Sequence, residues 1–463
     1  MDIFSALQTS VSGLQAQSYA ISNISGNIAN SQTTGYKRID TSFIDLMAEQ
    51  TAKREVAGTV LAQARLTNTI QGNVVASQVA TNMAINGQGF FTVLQKSGDA
   101  GGQATFNTQP VYTRRGDFSP DKDGYLVNGA GDYLTGQNID PATGQTVSTG
   151  LIKIANSTLP AKPTSTINYA ANLPATPITG KSTTSGSDLY APADPNSILL
   201  TGASTASPQI ASGDAANFVN SSIAGPAVTA YTATGAPVTV TTRWAKVQDV
   251  NTAATPPVTN SVWNLFYQSD TTASAAKSAW TNVGQSFTFD TAGQLTNPTS
   301  GGITIPNLTV SGTNLGSVAL NFGQTGLTQY ADSSGGATTN TLTQDGYTSG
   351  TLSSVAVSGD GKINGTFSNG SVVPLATVGF ARFTNPDGLK PDTNGHYFQT
   401  VDSGSPLAGL AGSTIVGEST EQSNTDIASE FSKMIVTQQA YSANTRVMST
   451  AQTMMSDLLN VIR

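Results

Sequence analysis

Few side chains in this sequence are of the types that do chemistry, and none is spaced to do it with a partner. The chain has no cysteine, which excludes disulfides, thiolate catalysis and zinc sites built from cysteine. Its single histidine, His396, stands in the turn-rich run PDTNGHYF, and no second histidine exists to complete a metal site or a proton relay. We therefore expect His396 to be an exposed loop residue.

One run of acidic residues matches part of a calcium-binding loop. Asp121 and Asp123 precede Gly124, as in such a loop. The first position of the loop would be Ser119 and the twelfth Ala130, so the carboxylate that binds calcium through both oxygens is missing. An Asp-Gly hairpin turn is the better interpretation.

Motifs for enzymes are equally incomplete. Gly87 and Gly89 are not followed by a third glycine that opens a helix, so they make a poor dinucleotide-binding loop. The serines lack the GxSxG pattern with a histidine partner. The 28 acidic residues include no pair whose spacing indicates a catalytic role. We predict a protein that is not an enzyme and has no cofactor and no metal site.

Composition indicates a surface made for protein contacts. Charged residues are 11% of the chain, against roughly 25% in ordinary soluble proteins. The net charge of −7 and the sequence pI near 4.7 argue against binding to nucleic acid or to an anionic membrane. No apolar run is long enough to insert in a membrane, and the first residues lack the pattern of a cleavable signal peptide. We expect a cytosolic protein or one exported without such a peptide.

Both ends of the chain have apolar residues at intervals of seven, which keeps one seam of an α-helix facing a partner helix. We predict a helix over about residues 2–29 and a second helix from Ile427 onward. Candidate N-caps of the second helix are Ser423, Asn424 and Asp426. The predicted self-assembly residues are Leu7, Val11, Leu14, Ile21, Ile28, Ile427, Phe431, Met434, Tyr441, Met448, Met455, Leu459 and Ile462.

The two predicted seams are weak, because several of the positions between the apolar residues are polar. These polar positions are Ser18, Ser25, Gln438, Thr445 and Gln452. Each seam therefore buries about half the apolar surface of a good two-stranded coiled coil. We hypothesise that the terminal helices are frayed in a free subunit and become ordered when many subunits pack together. The alternative is an ordinary helical hairpin within one chain.

Between the terminal helices the sequence predicts β-structure. A short amphipathic stretch from Thr41 to about Glu49 leads into extended structure from about Gly58, and Val262–Tyr267 is apolar enough for a core strand. We predict an α+β chain that is mostly β, with long terminal helices forming a coiled-coil-like stem and nested all-β domains of sandwich or barrel type inserted between them. The predicted domains are residues 1–70 with 415–463 (helical core and extension), 71–165 with 360–414 (inner β domain) and 166–359 (outer β domain, of one or two subdomains).

Several separated motifs identify a family. The runs SGLQAQ (12–17), SGNIAN (25–30) and SQTTGYKR (31–38) resemble the N-terminal signature of the bacterial flagellar axial proteins, the rod and hook subunits. Gly26 and Gln32 replace the asparagines usual in that family. The C-terminal run EQSNTDIASEFSKMIVTQQAYSAN is similar to the C-terminal helix of the family. The run INGTFSNGSVVPLATVGFARFTNPDGL (363–389) resembles the sequence of hook subunits in this family. The family motif residues are Asn27, Ala29, Asn30, Thr34, Gly35, Tyr36 and Lys37.

The resemblance implies a structural subunit of the flagellar hook. Such a subunit is exported through the flagellar type III apparatus and polymerises with itself outside the cell into a curved, flexible tube, a universal joint that passes torque from motor to filament. The implied partners are further copies of the chain, rod proteins, the hook cap, hook–filament junction proteins and the export apparatus.

Two other functions fit parts of the sequence. A distal rod subunit of the same family would form a straight tube, and the region from Thr41 to Leu66 is where the two kinds of subunit are expected to differ. The second alternative is a secreted β-sandwich adhesin or a glycan-processing protein with helical termini. Such a protein would keep its binding or hydrolysis after removal of residues 1–28, whereas a hook subunit would lose polymerisation.

Overall fold

The computed structural model describes residues 3–46, 59–100, 103–154, 158–185, 188–200, 209–270 and 278–461. The chain divides into two compact units. Unit 1 contains both ends of the chain (Met1–Ser157 and Leu352–Arg463), and unit 2 is the stretch Thr158–Thr351 between them. The division into three domains with the boundaries given above stays a prediction.

The elements follow one another in three stretches. Unit 1 begins with α1 (Ile3–Ala29), β1 (Ile39–Leu46), β2 (Thr59–Leu66), β3 (Val74–Ala76), β4 (Met83–Asn86), β5 (Phe90–Ala100), β6 (Gln103–Phe106), β7 (Val111–Thr113), β8 (Ser119–Pro120), β9 (Leu126–Val127), β10 (Asp132–Ile139) and β11 (Thr146–Leu151). Unit 2 contains β12 (Thr158–Leu159), β13 (Thr166–Asn172), α2 (Gly180–Ser185), β14 (Gln209–Ala211), α3 (Ala215–Asn220), β15 (Ile223–Tyr231), β16 (Pro237–Gln248), β17 (Ser261–Gln268), β18 (Ser278–Phe289), β19 (Leu295–Asn297), β20 (Gly302–Ile305), β21 (Thr309–Val310), β22 (Thr313–Asn314), β23 (Val318–Asn321), β24 (Leu327–Thr328) and β25 (Thr338–Gln344). The last stretch contains β26 (Gly350–Val357), β27 (Lys362–Phe367), β28 (Val372–Val378), β29 (Phe380–Arg382), β30 (Lys390–Pro391), β31 (His396–Phe398), β32 (Leu407–Ala408), β33 (Thr414–Gly417), β34 (Ser419–Glu421) and α4 (Ile427–Val461).

The predicted fold class is confirmed: the chain is mostly β, with a long helix at each end. Helix α1 ends where the Asn30 side chain donates to the carbonyl of Gly26, 2.9 Å away. Helix α4 begins after Asp426, whose carboxylate accepts the backbone N–H of Ser429 at 2.7 Å, the contact expected of an N-cap. Of the three candidate caps, Asp426 makes this contact.

The stretch predicted to be amphipathic after α1 is a strand as far as Leu46. Strands β1 and β2 form an antiparallel hairpin in which Ile44 lies opposite Leu61. The remaining residues of the predicted amphipathic stretch, up to Glu49, lie outside the described part of the chain. The extended structure predicted from about Gly58 is confirmed by β2.

The β part of unit 1 is a sheet in which β26, β27, β28, β10, β5, β7, β31 and β30 are neighbours in that order. Its core includes Phe91 and Phe118, whose rings meet edge to face at 5.6 Å. The predicted Asp-Gly turn is confirmed and joins β8 to β9. In this turn the backbone N–H of Gly124 donates to the carbonyl of Asp121 at 3.0 Å.

The prediction that His396 lies exposed in a loop is wrong. His396 is 2% exposed and belongs to β31, opposite Thr113 of β7. Its Nε2 donates to the buried carboxylate of Asp132, and the Gln95 amide nitrogen donates to its Nδ1 at 2.8 Å. The turn residues before it bring the chain back to the sheet, so a turn-rich sequence here precedes a buried strand.

Unit 2 consists mainly of two sheets with a shared core. In one, β13 pairs with β23, β24 and β25; in the other, β14, β18, β17, β16 and β15 are neighbours in that order. The predicted core strand is confirmed, since β17 is buried from Ser261 to Tyr267. Trp244 of the second sheet donates to the hydroxyl of Tyr169 of the first at 3.0 Å, which joins the two sheets within the core. None of the described helices is long and apolar enough to span a membrane.

The buried Tyr169 makes the stability of unit 2 sensitive to high pH. Burial raises the pKa of Tyr169 to about 12. The unfolded chain therefore releases this proton near pH 10 and the folded chain does not, so unit 2 loses about 2–3 kcal/mol of stability as the pH rises from 10 to 12. Urea unfolding followed by tryptophan fluorescence measures this loss, since all three tryptophans lie in unit 2.

The control is Tyr169→Phe, which loses the bond from Trp244 and about 1 kcal/mol at neutral pH but removes the titrating group. Its stability should fall less steeply between pH 10 and 12 than that of the wild type. Equal slopes would contradict the assignment.

Candidate assembly site: the terminal helices and their junction

Helices α1 and α4 pack against each other in antiparallel order. The Asn27 amide nitrogen donates to Glu430 Oε2 at 3.0 Å, and a Cβ added to Gly13 would lie 2.8 Å from the Asn444 side-chain nitrogen. Fourteen residues separate the two positions on each helix (27 − 13 and 444 − 430), so both helices keep a seven-residue repeat along the contact. This register also places Ala20 opposite Thr437.

The seam between these helices is built from small and polar side chains. Ala20, Asn27, Glu430, Thr437 and Ala451 are all buried. Small side chains let two helix backbones come close together, and at Gly13 no larger side chain fits unless Asn444 moves. The polar pair Asn27 and Glu430 fixes one register, as buried polar residues do in coiled coils.

The predicted self-assembly residues lie beside this seam rather than in it. On α1, Leu7, Leu14, Ile21 and Ile28 are half-buried and Val11 is exposed. On α4, Met434, Met448 and Met455 are half-buried, while Ile427, Phe431 and Tyr441 are exposed. The side chain of Leu459 and all of Ile462 lie outside the described part of the chain. The large apolar residues are therefore left largely free by the contact within one chain.

The β1–β2 hairpin packs on a second side of α1. The Asn23 side chain donates to the hydroxyl of Thr41 at 2.9 Å. The backbone N–H of Val60 donates to the hydroxyl of Ser12 at 3.4 Å. Helix α1 is thus held between α4 and the hairpin, which explains why its predicted stripe is half-buried while that of α4 is more open.

The motif residue Asn27 connects three parts of the chain. Besides its bond to Glu430, its amide nitrogen donates to the carbonyl of Ile39 at 3.0 Å. Its oxygen accepts the N–H of Ile39 at 2.9 Å and the hydroxyl of Tyr36 at 3.1 Å. Burial, and then the charge of Glu430, raise the pKa of Tyr36, so this hydroxyl stays a donor. Every polar atom of the Asn27 side chain is used, which accounts for an asparagine at this position.

The motif residues Gly35 and Lys37 both contact Glu421, the last residue of β34. Gly35 has a φ of 68° and donates its N–H to the Glu421 carbonyl at 2.7 Å. Lys37 donates to Glu421 Oε1 and, at 2.7 Å, to the carbonyl of Ile70. A Cβ at Gly35 would overlap the backbone of Arg114, so the turn needs glycine both for its conformation and for this close approach.

Arg114, the residue after β7, completes a buried charged cluster with Lys37 and Glu421. Its Nη1 donates to Glu421 Oε2 at 3.1 Å, and Nη2 donates to the carbonyl of Gly87 at 2.6 Å. All three charged side chains are at most 2% exposed. Burial lowers the pKa of Lys37, opposed by Glu421 and reinforced by Arg114, and burial also lowers the pKa of Arg114. Two cations here share one carboxylate.

The remaining motif residues shape the turn after α1. The oxygen of the Asn30 side chain accepts the hydroxyl of Thr33 at 3.1 Å. Ala29 is exposed and Thr34 is half-buried in the same turn. We call the contacts of residues 27–38 with Glu421, Glu430 and Arg114 the junction.

Four residues of this site are not among those predicted from the sequence: Arg114, Glu421, Glu430 and Asn444. One signal could have pointed to two of them. The chain has five glutamates, and three of these stand between residues 418 and 430. The described residues include no group of three side chains able to hold a metal ion.

Four family models match successive parts of the chain. Their descriptions and the residues matched are Flagella basal body rod protein (7–37), Flagellar hook protein FlgE/F/G D1 domain (84–167), Flagellar basal body protein FlaE D2 domain (214–347) and Flagellar basal body rod FlgEFG protein C-terminal (417–461). The first and last of these include the junction residues on α1 and α4.

Relatives match the chain from end to end. The flagellar hook protein FlgE of Rhizobium meliloti (strain 1021) is 28% identical over 486 residues, with all of both chains covered. That of Salmonella typhimurium is 29% identical over 464 residues and covers 97% of this chain and 98% of its own length. The crystal structure of Helicobacter pylori flagellar hook protein FlgE2 has a TM-score of 0.49 at 15% identity, covering 74% of this chain and 98% of that one.

Removing the amide of Asn27 should loosen the junction. Asn27→Ala leaves the buried Glu430 carboxylate and the backbone of Ile39 without this partner, which should lower the free energy of unfolding of unit 1 by about 1–3 kcal/mol. Thermal and urea unfolding followed by far-UV circular dichroism measures the change, because both long helices are in unit 1. The matched control is Asn23→Ala, which removes a contact to Thr41 on the same helix. Equal losses in the two variants would contradict the role given to Asn27.

Proposed function

Because the chain belongs to the flagellar hook protein family, in which it is a structural subunit of the hook, we propose that it polymerises through its terminal helices into a curved, flexible tube. In this proposal the tube is a universal joint that passes torque from the motor and rod to the filament. The role is mechanical, and no catalytic step belongs to it.

The observation that carries the proposal is the pair of apolar faces that α4 leaves exposed. Ile427, Phe431 and Ile435 follow one another at intervals of four and are 43%, 50% and 56% exposed. Val436 and Met454, with exposed fractions of 65% and 53%, lie on a second face about 140° around the helix from the first. Both faces are separate from the seam with α1.

Two apolar faces on one helix call for two different neighbours. Burying one Ile, Phe or Val side chain contributes about 1.5–3 kcal/mol, so water leaves such surfaces readily when a partner is present. A closed dimer would use a single self-complementary patch on each copy and would leave the other face in water. A helical lattice of copies covers both faces, which supports a polymer with the terminal helices inside it.

The composition of unit 2 supports a flexible tube. Residues 158–351 contain five Lys or Arg and eight Asp, thirteen charged side chains in a stretch of 194 residues. An ion pair holds two side chains in one geometry, and few such pairs can form between surfaces with so few charges. We propose that neighbouring outer domains shift past one another through weak polar contacts as the tube bends.

The partners follow from the family. We propose that the chain contacts further copies of itself along the tube, rod proteins and the hook–filament junction proteins at its two ends, and the hook cap and the export apparatus during assembly. The hook is its location, and we propose that it reaches the cell exterior through the flagellar export apparatus without a cleavable signal peptide.

The exposed stripe on α4 gives a direct test. The double variant Phe431→Ser, Ile435→Ser should keep the fold of the monomer, because both side chains are exposed in the single chain. Its polymerisation should fail or need a much higher protein concentration, since each neighbour contact loses about 1.5–3 kcal/mol per side chain. Sedimentation measures the polymer fraction, and electron microscopy shows its shape.

The matched control is Val401→Ser, a change at a side chain that is 99% exposed in unit 1. This variant should form curved tubes like the wild type. Normal assembly of the α4 double variant would refute the proposed surface. A straight wild-type tube would instead assign the chain to the distal rod.

A further inference from the structure

Unit 2 has an open pocket beside helix α3 that the proposed assembly does not use. Its volume is about 990 Å³, within the range of roughly 300–1,000 Å³ that is usual for pockets that bind small molecules. Every residue that lines it belongs to unit 2. One wall is formed by the segment at Ile178 and the loop at Ser334. These are joined where the backbone N–H of Ile178 donates to the carbonyl of Gly335 at 2.9 Å.

A second wall is one face of the sheet that contains β16, β17 and β18. Arg243 of β16, Gln268 of β17 and Trp280 of β18 line the pocket. Arg243 lies opposite Phe266, which is two residues before Gln268 and therefore on the same face. Gln268 in turn lies opposite Trp280. Helix α3 covers part of this face, since the ring of its Phe218 is 5.3 Å from that of Trp280.

Arg243 brings an unbalanced positive charge to the pocket. Its Nε donates to the hydroxyl of Ser222 at 2.7 Å, and its Nη2 donates to the carbonyls of Val219 and Ser222 at 2.9 and 2.6 Å. Within the described part of the chain, no carboxylate forms an ion pair with this guanidinium, and Nη1 has no hydrogen-bond partner. A guanidinium keeps its charge when it is half-buried, and buried charges are normally paired. The remaining donor therefore suits an anionic group of a ligand.

Other lining residues suit a ligand that carries hydroxyl groups on an apolar frame. Asn220, Gln268 and Ser334 have amide or hydroxyl groups, which both donate to and accept from hydroxyls. Beside them, Ile178 and Val219 are 56% and 43% exposed. A sugar ring has apolar C–H groups on its faces and hydroxyls around its edge, so it can contact both kinds of side chain.

Asp270 makes the pocket selective. It is the second charged residue that lines the pocket. A carboxylate accepts hydrogen bonds from hydroxyls but repels other anions. A small ligand with several carboxylates and no hydroxyl is therefore disfavoured here, whereas a sugar carries one carboxylate on a ring that also has hydroxyls.

We propose that this pocket of unit 2 binds an acidic saccharide, with its carboxylate on Arg243 and its hydroxyls on the amide and hydroxyl side chains. Arginine is suited to a carboxylate, because charge-assisted hydrogen bonds are roughly twice as strong as neutral ones. The inference goes beyond the proposed function, since a tube can assemble without a ligand. The competing occupant is an acidic side chain of a neighbouring copy, but one such side chain would fill only a small part of a pocket of 990 Å³.

Trigalacturonate, an acidic saccharide of three rings, is the test ligand. Saturation-transfer NMR of the ligand, with dilute full-length chain, measures its affinity. We expect it to bind at least about 10-fold more tightly than its methyl ester, which cannot form a charge-assisted bond to Arg243. We expect the same advantage over tricarballylate, which has three carboxylates and no hydroxyl and is repelled by Asp270.

A charge introduced at Ala216, an exposed residue of α3 that lines the pocket, tests the role of charge without removing a bond of Arg243. Ala216→Asp should weaken binding of trigalacturonate roughly 3- to 10-fold, and Ala216→Lys should strengthen it by a similar factor. Binding of the methyl ester should be the same in both variants. The matched control is Ala233→Asp, at an exposed alanine in the turn after β15, at the other end of that strand from the pocket residue Ala224. It should leave the affinity unchanged.

Arg243→Gln removes the charge itself and should weaken binding at least about 10-fold. If this variant does not fold, the two Ala216 variants decide. Equal affinity for trigalacturonate and its methyl ester, or no response to either Ala216 change, would overturn the role of Arg243. Equally tight binding of tricarballylate, or no binding of trigalacturonate by the wild-type chain, would overturn the saccharide site. If the wild-type chain binds no saccharide and Ala216→Asp fails to polymerise, the pocket belongs to a contact between copies and the proposal is wrong.

Discussion

The contact between α1 and α4 constrains the rest of the molecule, because it uses the small and polar side chains of both helices. Alanine, glycine, threonine and asparagine bring the two backbones close together, and Asn27 with Glu430 sets their register. The large apolar side chains are consequently directed elsewhere. In the single chain, Phe431 and Ile435 face water, and that surface is what further copies of the chain can cover. If the seam contained the large apolar residues, each helix pair would bury its apolar surface within one chain. Little apolar surface would then remain to drive assembly.

The junction bonds the loop after α1 to the strands of unit 1. In a chain with few charged residues, three charged side chains are buried together and bonded to backbone from several segments. Such a cluster adds little net stability, because desolvation of the charges offsets most of their attraction. Its effect is on geometry, because the hydrogen bonds to Glu421 all form only when the loop after α1, the segment at Gly72 and Arg114 are in their places. The motif residues Gly35 and Lys37 are the contribution of the loop after α1 to this arrangement.

Sequence patterns predicted the elements well where local chemistry decides them. The terminal helices, the cap at Asp426, the turn at Gly124 and the buried strand β17 all follow from short-range rules. Patterns did not predict contacts that depend on small or single polar residues. The seven-residue repeat was visible in the large side chains, but the seam within the chain lies on a neighbouring face. That face was not predicted, because alanine and glycine give no hydrophobic signal. His396 was misplaced since its partners, Asp132 and Gln95, are far away in sequence. Glu421 and Arg114 are separated by 307 residues, and only the fold brings them together.

We propose that the terminal helices gain their full order from neighbouring copies, beyond the packing that α1 and α4 give each other within one chain. Hydrogen exchange of the α1 and α4 amides, measured on dilute monomer and on assembled polymer of the same chain, separates the two contributions. We expect the monomer to exchange these amides much faster than the polymer along both helices, including the exposed faces of α4. Equal protection of both helices in monomer and polymer would contradict this proposal, because the helix pair would then be stable without neighbours.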